Sequence, residues 1–240
     1  MYKRQTFKQC TSHSFENGVC TACKYECEHT QWKDGICSAC GIFEQPTLTD
    51  GVYEINNVGN LFWFAEQVNS GSTAINGKLM KDIDLSGYNW VPIGTYSDTA
   101  STTDYPYKGT FDGNYKVIKN LSVKVETAHE TGLFGRISGG KVINLGIVNA
   151  TVENTQGVRA GVIAGEIHNS TVTNVYTAGV ITVTTSNTNG QAGGIAGECA
   201  NSTLTNCYTT FGYLTSNAKT VTNCYYTVSY THLTLPTNSR

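Results

Sequence analysis

Six of the nine cysteines lie between Cys10 and Cys40, with two histidines among them. They form two copies of one pattern. The first is Cys10-x2-His13-x6-Cys20-x2-Cys23, and the second is Cys27-x-His29-x7-Cys37-x2-Cys40. The copies align at an offset of 17 residues, with Phe15 on Trp32, Gly18 on Gly35 and Val19 on Ile36; only the histidine slips by one position. Each copy offers three thiolates and one imidazole, the donor set of a closed, four-coordinate structural zinc site. Two cysteines two residues apart can grip one ion from a tight turn, and Gly18 and Gly35 permit the bend. Four protein ligands leave no open coordination position, so the chemistry expected is structural and not catalytic. The pattern predicts two zinc ions. Three disulfides among the six cysteines are the competing reading, which an oxidising compartment would permit. It leaves the recurring histidine unexplained. Either way, so short a module buries little apolar surface and needs a staple.

Other reactive residues are more dispersed. In Lys81-Asp-Ile-Asp-Leu85, alternation puts Asp82 and Asp84 on one side of a strand and Ile83 and Leu85 on the other. Paired carboxylates can bind calcium or cleave glycosides. With Asp112, and with Arg136 or Lys141 as helpers, they form the candidate set for a carbohydrate-active enzyme. The blander expectation is a solvated strand face. Glu166 and Glu198 occupy equivalent repeat positions, but Arg136 stands there in a third unit, which weakens a catalytic row. Tyr176, Tyr208, Tyr225 and Trp90 are candidate stacking platforms for a ligand, set against the plainer expectation of tyrosines packing at turns. Cys199, Cys207 and Cys224 stand where other repeats carry apolar residues, so buried inert thiols are expected there. A Cys207–Cys224 disulfide on adjacent rungs is the alternative.

The elements that position these residues follow from periodicity. Leu61, Phe64, Ala65 and Val68 are spaced at i, i+3, i+4, i+7 behind a candidate N-cap, Asn57. This predicts one helix, placed to cover an open end of a repeat stack. Beyond it, Gly132-Leu-Phe-Gly135, Val162-Ile-Ala-Gly165 and Gly194-Ile-Ala-Gly197 are each followed by Asn144, Asn174 and Asn206, and Asn223 starts the same half-unit again. Val142, Val172 and Leu204 align, as do Ile137, Ile167 and Cys199. Short strands between Gly and Asn turns, recurring at about 30 residues, predict an all-β, right-handed parallel β-helix (a solenoid) with interior apolar ladders and an amide ladder of asparagines. A β-propeller needs longer blades.

These units resemble the GLUG motif, a glycine-rich repeat of bacterial cell-surface and secreted proteins. Gly132-Leu-Phe-Gly135 and Asn206-Cys-Tyr208 carry the likeness. The lead-in from Gly51 through Trp90-Val-Pro-Ile-Gly94 and Gly109-Thr-Phe-Asp-Gly113 looks like what precedes such repeats in surface proteins of gut Firmicutes. The resemblance covers about Gly51 to Tyr226. It implies an extracellular scaffold on the bacterial surface with no assigned catalytic residue. The family's apolar core position holds Phe134 in one unit but Ala164 and Ala196 in the next two, so the rungs are expected to narrow.

Composition agrees with that class. Charged residues are 14% of the chain, low for a cytosolic domain. No basic block suggests a nucleic-acid partner, and no apolar run approaches the ~18 residues of a membrane span. The ends are read separately. Val228 to Thr237 resembles a translated transposase library adapter, and Met1-Tyr-Lys-Arg-Gln5 matches the same adapter inverted. Setting aside Lys3, Arg4 and Arg240 leaves 13 basic against 18 acidic residues, a net charge of −5. The expected organisation is therefore adapter at 1–5, two Cys3His repeats at 6–41, a linker at 42–49, a solenoid lead-in with the capping helix at 50–130, repeats at 131–227 and adapter at 228–240. The expected function is non-catalytic: adhesion, display or spacing at the cell surface, with a glycan or protein ligand. The alternative is a carbohydrate-active or glycan-binding β-helix.

Overall fold

The computed structural model describes residues 15–21, 26–95, 104–125, 130–155, 159–185 and 190–227. Cys10, His13, Cys23 and both terminal segments lie outside them. The chain opens with two small hairpins. Strands β1 (Phe15–Glu16) and β2 (Val19–Cys20) turn at Asn17-Gly18; β3 (Trp32–Lys33) and β4 (Ile36–Cys37) turn at Asp34-Gly35. Both turns place two successive residues at positive φ, 49° and 77° in the first and 50° and 77° in the second. Asn-Gly and Asp-Gly suit such type I′ turns because neither residue resists the left-handed region. The 17-residue repeat extends to the hydrogen bonds. Cys27 N–H donates to Gly18 O at 2.8 Å, and Glu44 N–H donates to Gly35 O at 2.7 Å.

Strand β5 (Thr47–Thr49) pairs antiparallel with β6 (Val52–Ile55), and helix α1 (Val58–Asn69) follows. Asn57 is its N-cap, as expected: its side chain accepts the Asn60 N–H at 2.8 Å. The predicted stripe of Leu61, Phe64, Ala65 and Val68 is buried. The remaining strands are β7 (Asn76–Leu79), β8 (Ile83–Asp84), β9 (Thr110–Val125), β10 (Phe134–Ser138), β11 (Lys141–Asn154), β12 (Arg159–Gly161), β13 (Ala164–His168), β14 (Thr171–Thr185), β15 (Gln191–Gly193), β16 (Ala196–Ala200), β17 (Thr203–Thr205), β18 (Tyr208–Thr209), β19 (Thr220–Thr222) and β20 (Tyr225–Tyr226). From β6 onward every strand pairing is parallel. The main sheet runs β19-β17-β14-β11-β9-β7-β6-β5, and β10-β13-β16 forms a second wall. The fold is a parallel β-solenoid of about four turns.

Parallel register sets each interior residue on its counterpart in the next rung. Phe111, Val142, Val172 and Leu204 make one ladder, and Ile137, Ile167 and Cys199 another. All seven are fully buried. The rungs narrow as expected, since Phe134 stacks on Ala164 and then on Ala196. The wide end is filled by aromatics: Phe134 stacks on Tyr107 at 5.2 Å, and Phe64 of α1 meets Phe111 edge-on at 5.8 Å. The helix thus seals the solenoid where its interior is broadest.

The corner asparagines do what the repeat predicted. Asn144, Asn174, Asn206 and Asn223 all sit near φ 51–55°, a region Asn tolerates better than other side chains with a Cβ. Asn174 Nδ2 donates to Asn144 Oδ1 at 2.9 Å, Asn206 Nδ2 to Asn174 Oδ1 at 2.9 Å, and Asn223 Nδ2 to Asn206 Oδ1 at 3.3 Å. Asn144 Nδ2 ends the ladder on Asp112 Oδ1 at 3.1 Å. Two substitutions separate the amide bonds from the backbone requirement. Asn174→Gly loses the side-chain bonds alone and should cost about 1 kcal/mol. Asn174→Ala loses them too and keeps a Cβ in the left-handed region without the polar side chain that lets Asn sit there, and should cost about 1–2 kcal/mol more than the glycine variant. Urea denaturation followed by circular dichroism checks the order, and equal midpoints for the two variants would refute it.

Candidate metal centre

The second cysteine/histidine set closes on itself. The β3–β4 hairpin presents Cys37, the turn beyond it presents Cys40, and the chain ahead of it brings Cys27 and His29. One ligand atom from each of the four lies within 4.8 Å of all the others. Cys27 Sγ and Cys37 Sγ are 3.7 Å apart, and Cys40 Sγ is 3.3 Å from His29 Nδ1. Tetrahedral zinc with Zn–S of about 2.3 Å and Zn–N of about 2.0–2.1 Å sets thiolates about 3.8 Å apart and a thiolate about 3.5 Å from the imidazole nitrogen. The residues therefore fit such an ion. Their electrostatics agree. Burial disfavours the Cys37 thiolate, but hydrogen bonds from His29 and from the Cys40 and Ala39 backbone outweigh it and bring the thiol from 9.0 down to about 6. Burial, then the neighbouring sulfurs, hold Cys40 at about 11. A cation at the centre would relieve that mutual repulsion among sulfurs.

The equivalent first set is visible only at Cys20, which is buried in the β1–β2 hairpin. Cys10, His13 and Cys23 lie outside the described residues. Among those residues the structure shows one cluster able to hold a metal ion.

The second knuckle is fastened to the solenoid. Gly59 N–H donates to Asp34 O at 2.8 Å, Asn60 Nδ2 to Glu44 O at 2.8 Å and Asn57 Nδ2 to Glu44 Oε2 at 2.7 Å. Phe43 stacks on Phe62 at 5.0 Å. Phe43 and Glu44, within the stretch 42–49 read from sequence as a linker, thus pack onto α1. Sequence reasoning missed this because Phe43 alone shows no periodicity.

The candidate aspartates are held by partners. Lys119 is 3.1 Å from Asp82, and the hydrogen bond from the Val117 N–H, with Lys119 beside it, lowers the Asp82 pKa. Asp84 accepts from Asn120 and Ser86, which lowers it likewise. Asp112 accepts from Asn114 and Asn144. Lys141 is exposed, in register between Thr110 and Thr171. Trp90 is buried, with its indole N–H donating to Leu133 O at 2.9 Å, so it packs the turn and offers no platform. Tyr176, Tyr208 and Tyr225, in contrast, are exposed and in register on adjacent rungs. Cys199 and Cys207 are buried free thiols, both pushed up to about 12 chiefly by burial, and Cys224 is a half-buried free thiol.

Glu166 and Glu198 do stack in register, on Arg136. A parallel row runs beside them, Arg159 on Gln191, with Glu130 just ahead of the Thr131–Ala160 bridge. The rows are cross-linked. Arg136 Nη2 is 3.3 Å from Glu166, and Arg159 Nη1 is 3.2 Å from Glu130 and 3.6 Å from Glu166, while Arg159 Nε bonds Glu198. Sequence reasoning did not find Glu130 or Arg159. The available signal was their position, each two residues ahead of Gly132 or Gly161.

No family model matches the chain. Halomucin of Haloquadratum walsbyi is 35% identical over 131 residues, which is 51% of this chain and 1% of that protein. The chain thus spans about one hundredth of that relative. A crystallised candidate immunoglobulin A1 protease of Bacteroides ovatus aligns with 19% identity over 78% of each chain, at a TM-score of 0.44.

Two measurements test the centre and the ion-pair cluster. Zinc added to chelator-treated protein should bind at the Cys27/His29/Cys37/Cys40 set, and Cys37→Ser should remove one equivalent. Because the knuckle is bonded to α1, chelation should also lower the melting temperature, and an unchanged melt would refute the coupling. Arg159→Met removes the guanidinium shared by Glu130, Glu166 and Glu198, leaving Glu166 with Arg136, and should cost about 1–3 kcal/mol in urea denaturation; a cost under about 1 kcal/mol, as for a surface pair, would contradict it.

Proposed function

We propose that this chain is a non-catalytic extracellular module of the GLUG type, which serves adhesion or display at a bacterial surface. The observation that carries the reading is repetition in which the candidate carboxylates are already engaged. Outward residues recur rung by rung, while each candidate carboxylate is held by a lysine, arginine or amide. Asp82, Asp84 and Asp112 are bonded to Lys119, Asn120 and Asn144, and Glu166 and Glu198 belong to arginines. A glycosidase needs one carboxyl free to give a proton and another free to attack or to activate water. The likeness to Halomucin, a protein whose name marks it as mucin-like, supports a surface or secreted setting. Among the described residues no helix is long and apolar enough to cross a membrane.

In this reading zinc at Cys27, His29, Cys37 and Cys40, and at a second set built from Cys10, His13, Cys20 and Cys23, stiffens the N-terminal end. The solenoid behind it is a rigid arm. Its stiffness comes from the same contacts that stabilise it, since every rung is hydrogen-bonded along its length to the next.

The test is adhesion under flow. Microspheres carrying the full chain are passed over immobilised gastric mucin, extracellular-matrix protein and cell-wall polysaccharide. Retention on at least one surface, above albumin-coated spheres, is expected. Retention on none would overturn the adhesive role.

A further inference from the structure

The sheet that carries the asparagine ladder also carries a row of aromatic rings. In the last three rungs each corner asparagine is followed two residues later by a tyrosine: Asn174 by Tyr176, Asn206 by Tyr208 and Asn223 by Tyr225. Alternation along a strand turns residue i+2 from the corner to the outside. Register then sets Tyr176 beside Tyr208 and Tyr208 beside Tyr225. All three are exposed, by 39%, 36% and 66%.

In the preceding rung the equivalent residue is Gly146, paired with Tyr176. Gly146 has no positive φ, so its backbone does not require glycine. The space a side chain would take is filled by the neighbouring ring: a Cβ at 146 would meet Cζ, Oη and Cε1 of Tyr176 at 2.5–2.7 Å, so any other residue there would displace that ring. The missing side chain lets the Tyr176 ring lie across the rung. One rung further, β9 carries extra residues opposite Asn144, and this bulge pushes out Tyr115, which is 77% exposed. Tyr115 and Tyr176 border a groove of about 450 Å³, floored by Gly146 and flanked by Asn144, Asn174 and Asn206. None of its lining residues is charged.

We infer that this groove and the tyrosine row beyond it form a binding strip for a neutral polysaccharide chain lying along the solenoid axis. The inference rests on the adhesive reading above and names its ligand. Three features favour that class. Tyrosine offers an apolar face to the C–H face of a sugar ring and keeps a hydroxyl for its edge. Each ladder carboxamide spends one N–H and one lone pair on its neighbours. A carboxamide has two of each, so every rung keeps one donor and one acceptor for hydroxyl groups. Their repeat is the strand spacing, about 4.8 Å, close to the advance of an extended glycan per sugar. The uncharged lining offers no cation to a phosphate or uronate. The backbone of β11, β14 and β18 is already paired on both sides, so an added peptide strand finds no open edge along the groove.

The test is native electrophoresis of the full chain through gels holding hydroxyethyl cellulose, xylan, galactomannan or, as the acidic comparison, alginate. Retardation in at least one neutral gel and none in alginate is expected. An aromatic stacking contact is worth roughly tenfold in affinity, so the double variant Tyr115→Ala/Tyr176→Ala should need at least ~tenfold more polysaccharide for the same retardation. Gly146→Leu, which leaves both tyrosines in the sequence but displaces the Tyr176 ring, should weaken binding in the same direction. Tyr213→Ala, outside the groove, should bind as the parent does. A circular dichroism melt checks each variant's fold. No retardation in any neutral gel, equal retardation of the double variant, or retardation in alginate alone would overturn the strip. Adhesion under flow with no glycan retardation would leave the surface role standing and remove only this ligand.

Discussion

In-register parallel pairing is the constraint from which the rest of this structure follows. Each residue's neighbour above and below is its own counterpart in the next repeat. A position is therefore tolerated only if its side chain can sit beside a copy of itself. Apolar groups meet that condition inside, as Val142 does on Val172. Asparagine meets it at the corner because a carboxamide both donates and accepts. Aspartate cannot bond itself in that way, and Asp112 occurs where the ladder ends, receiving an N–H from Asn144. Threonine meets the condition in the interior, where Thr177 Oγ1 donates to Thr209 Oγ1 at 2.7 Å. Glutamate fails it. Glu166 beside Glu198 is a like-charge contact in a poorly hydrated place, and it persists because Arg159 reaches over from the adjacent row to both.

The same constraint creates a difficulty at the end of the stack. A terminal rung shows unpaired backbone and an open apolar interior. At the N-terminal end two devices answer it. Strand β5 lies antiparallel on β6, which breaks the parallel register another copy would need to continue. Helix α1 follows β6 and puts Phe64 onto the Tyr107 and Phe111 rings. The Cys/His knuckle is fixed to that helix through Asp34, Glu44 and Phe43. An ion held at Cys27, His29, Cys37 and Cys40 would thus also brace the lid of the solenoid.

Much of this was legible in the sequence, for a physical reason. Ladder positions recur at a fixed interval, so Val142/Val172/Leu204, the corner asparagines and the Cys/His sets announce themselves by repetition. Helix α1 was legible from its apolar stripe and the capping Asn57. What escaped depends on contacts between columns rather than within one. The Glu130–Arg159 pairing links two ladders, and no interval in the sequence shows which ladders face each other. Trp90 was readable as turn packing or as a platform, and only its buried indole separates the two. Tyr115 escaped because it sits in a bulge, where extra residues break the count that reveals the other positions.

The outer face answers to weaker demands than the core. An exposed position between two copies of itself need not be apolar, charged or small, and threonine, serine or lysine would all suffice there. Tyrosine two residues after asparagine, in three successive rungs, exceeds what folding asks. A ring with two-fifths to two-thirds of its surface in water adds little burial, and a row of them keeps apolar surface exposed. The adjoining Gly146 sharpens the point, because glycine weakens a strand interior and is not required by the backbone angle here. A glycine whose Cβ position is filled by a neighbouring ring gives up strand stability for that ring's placement.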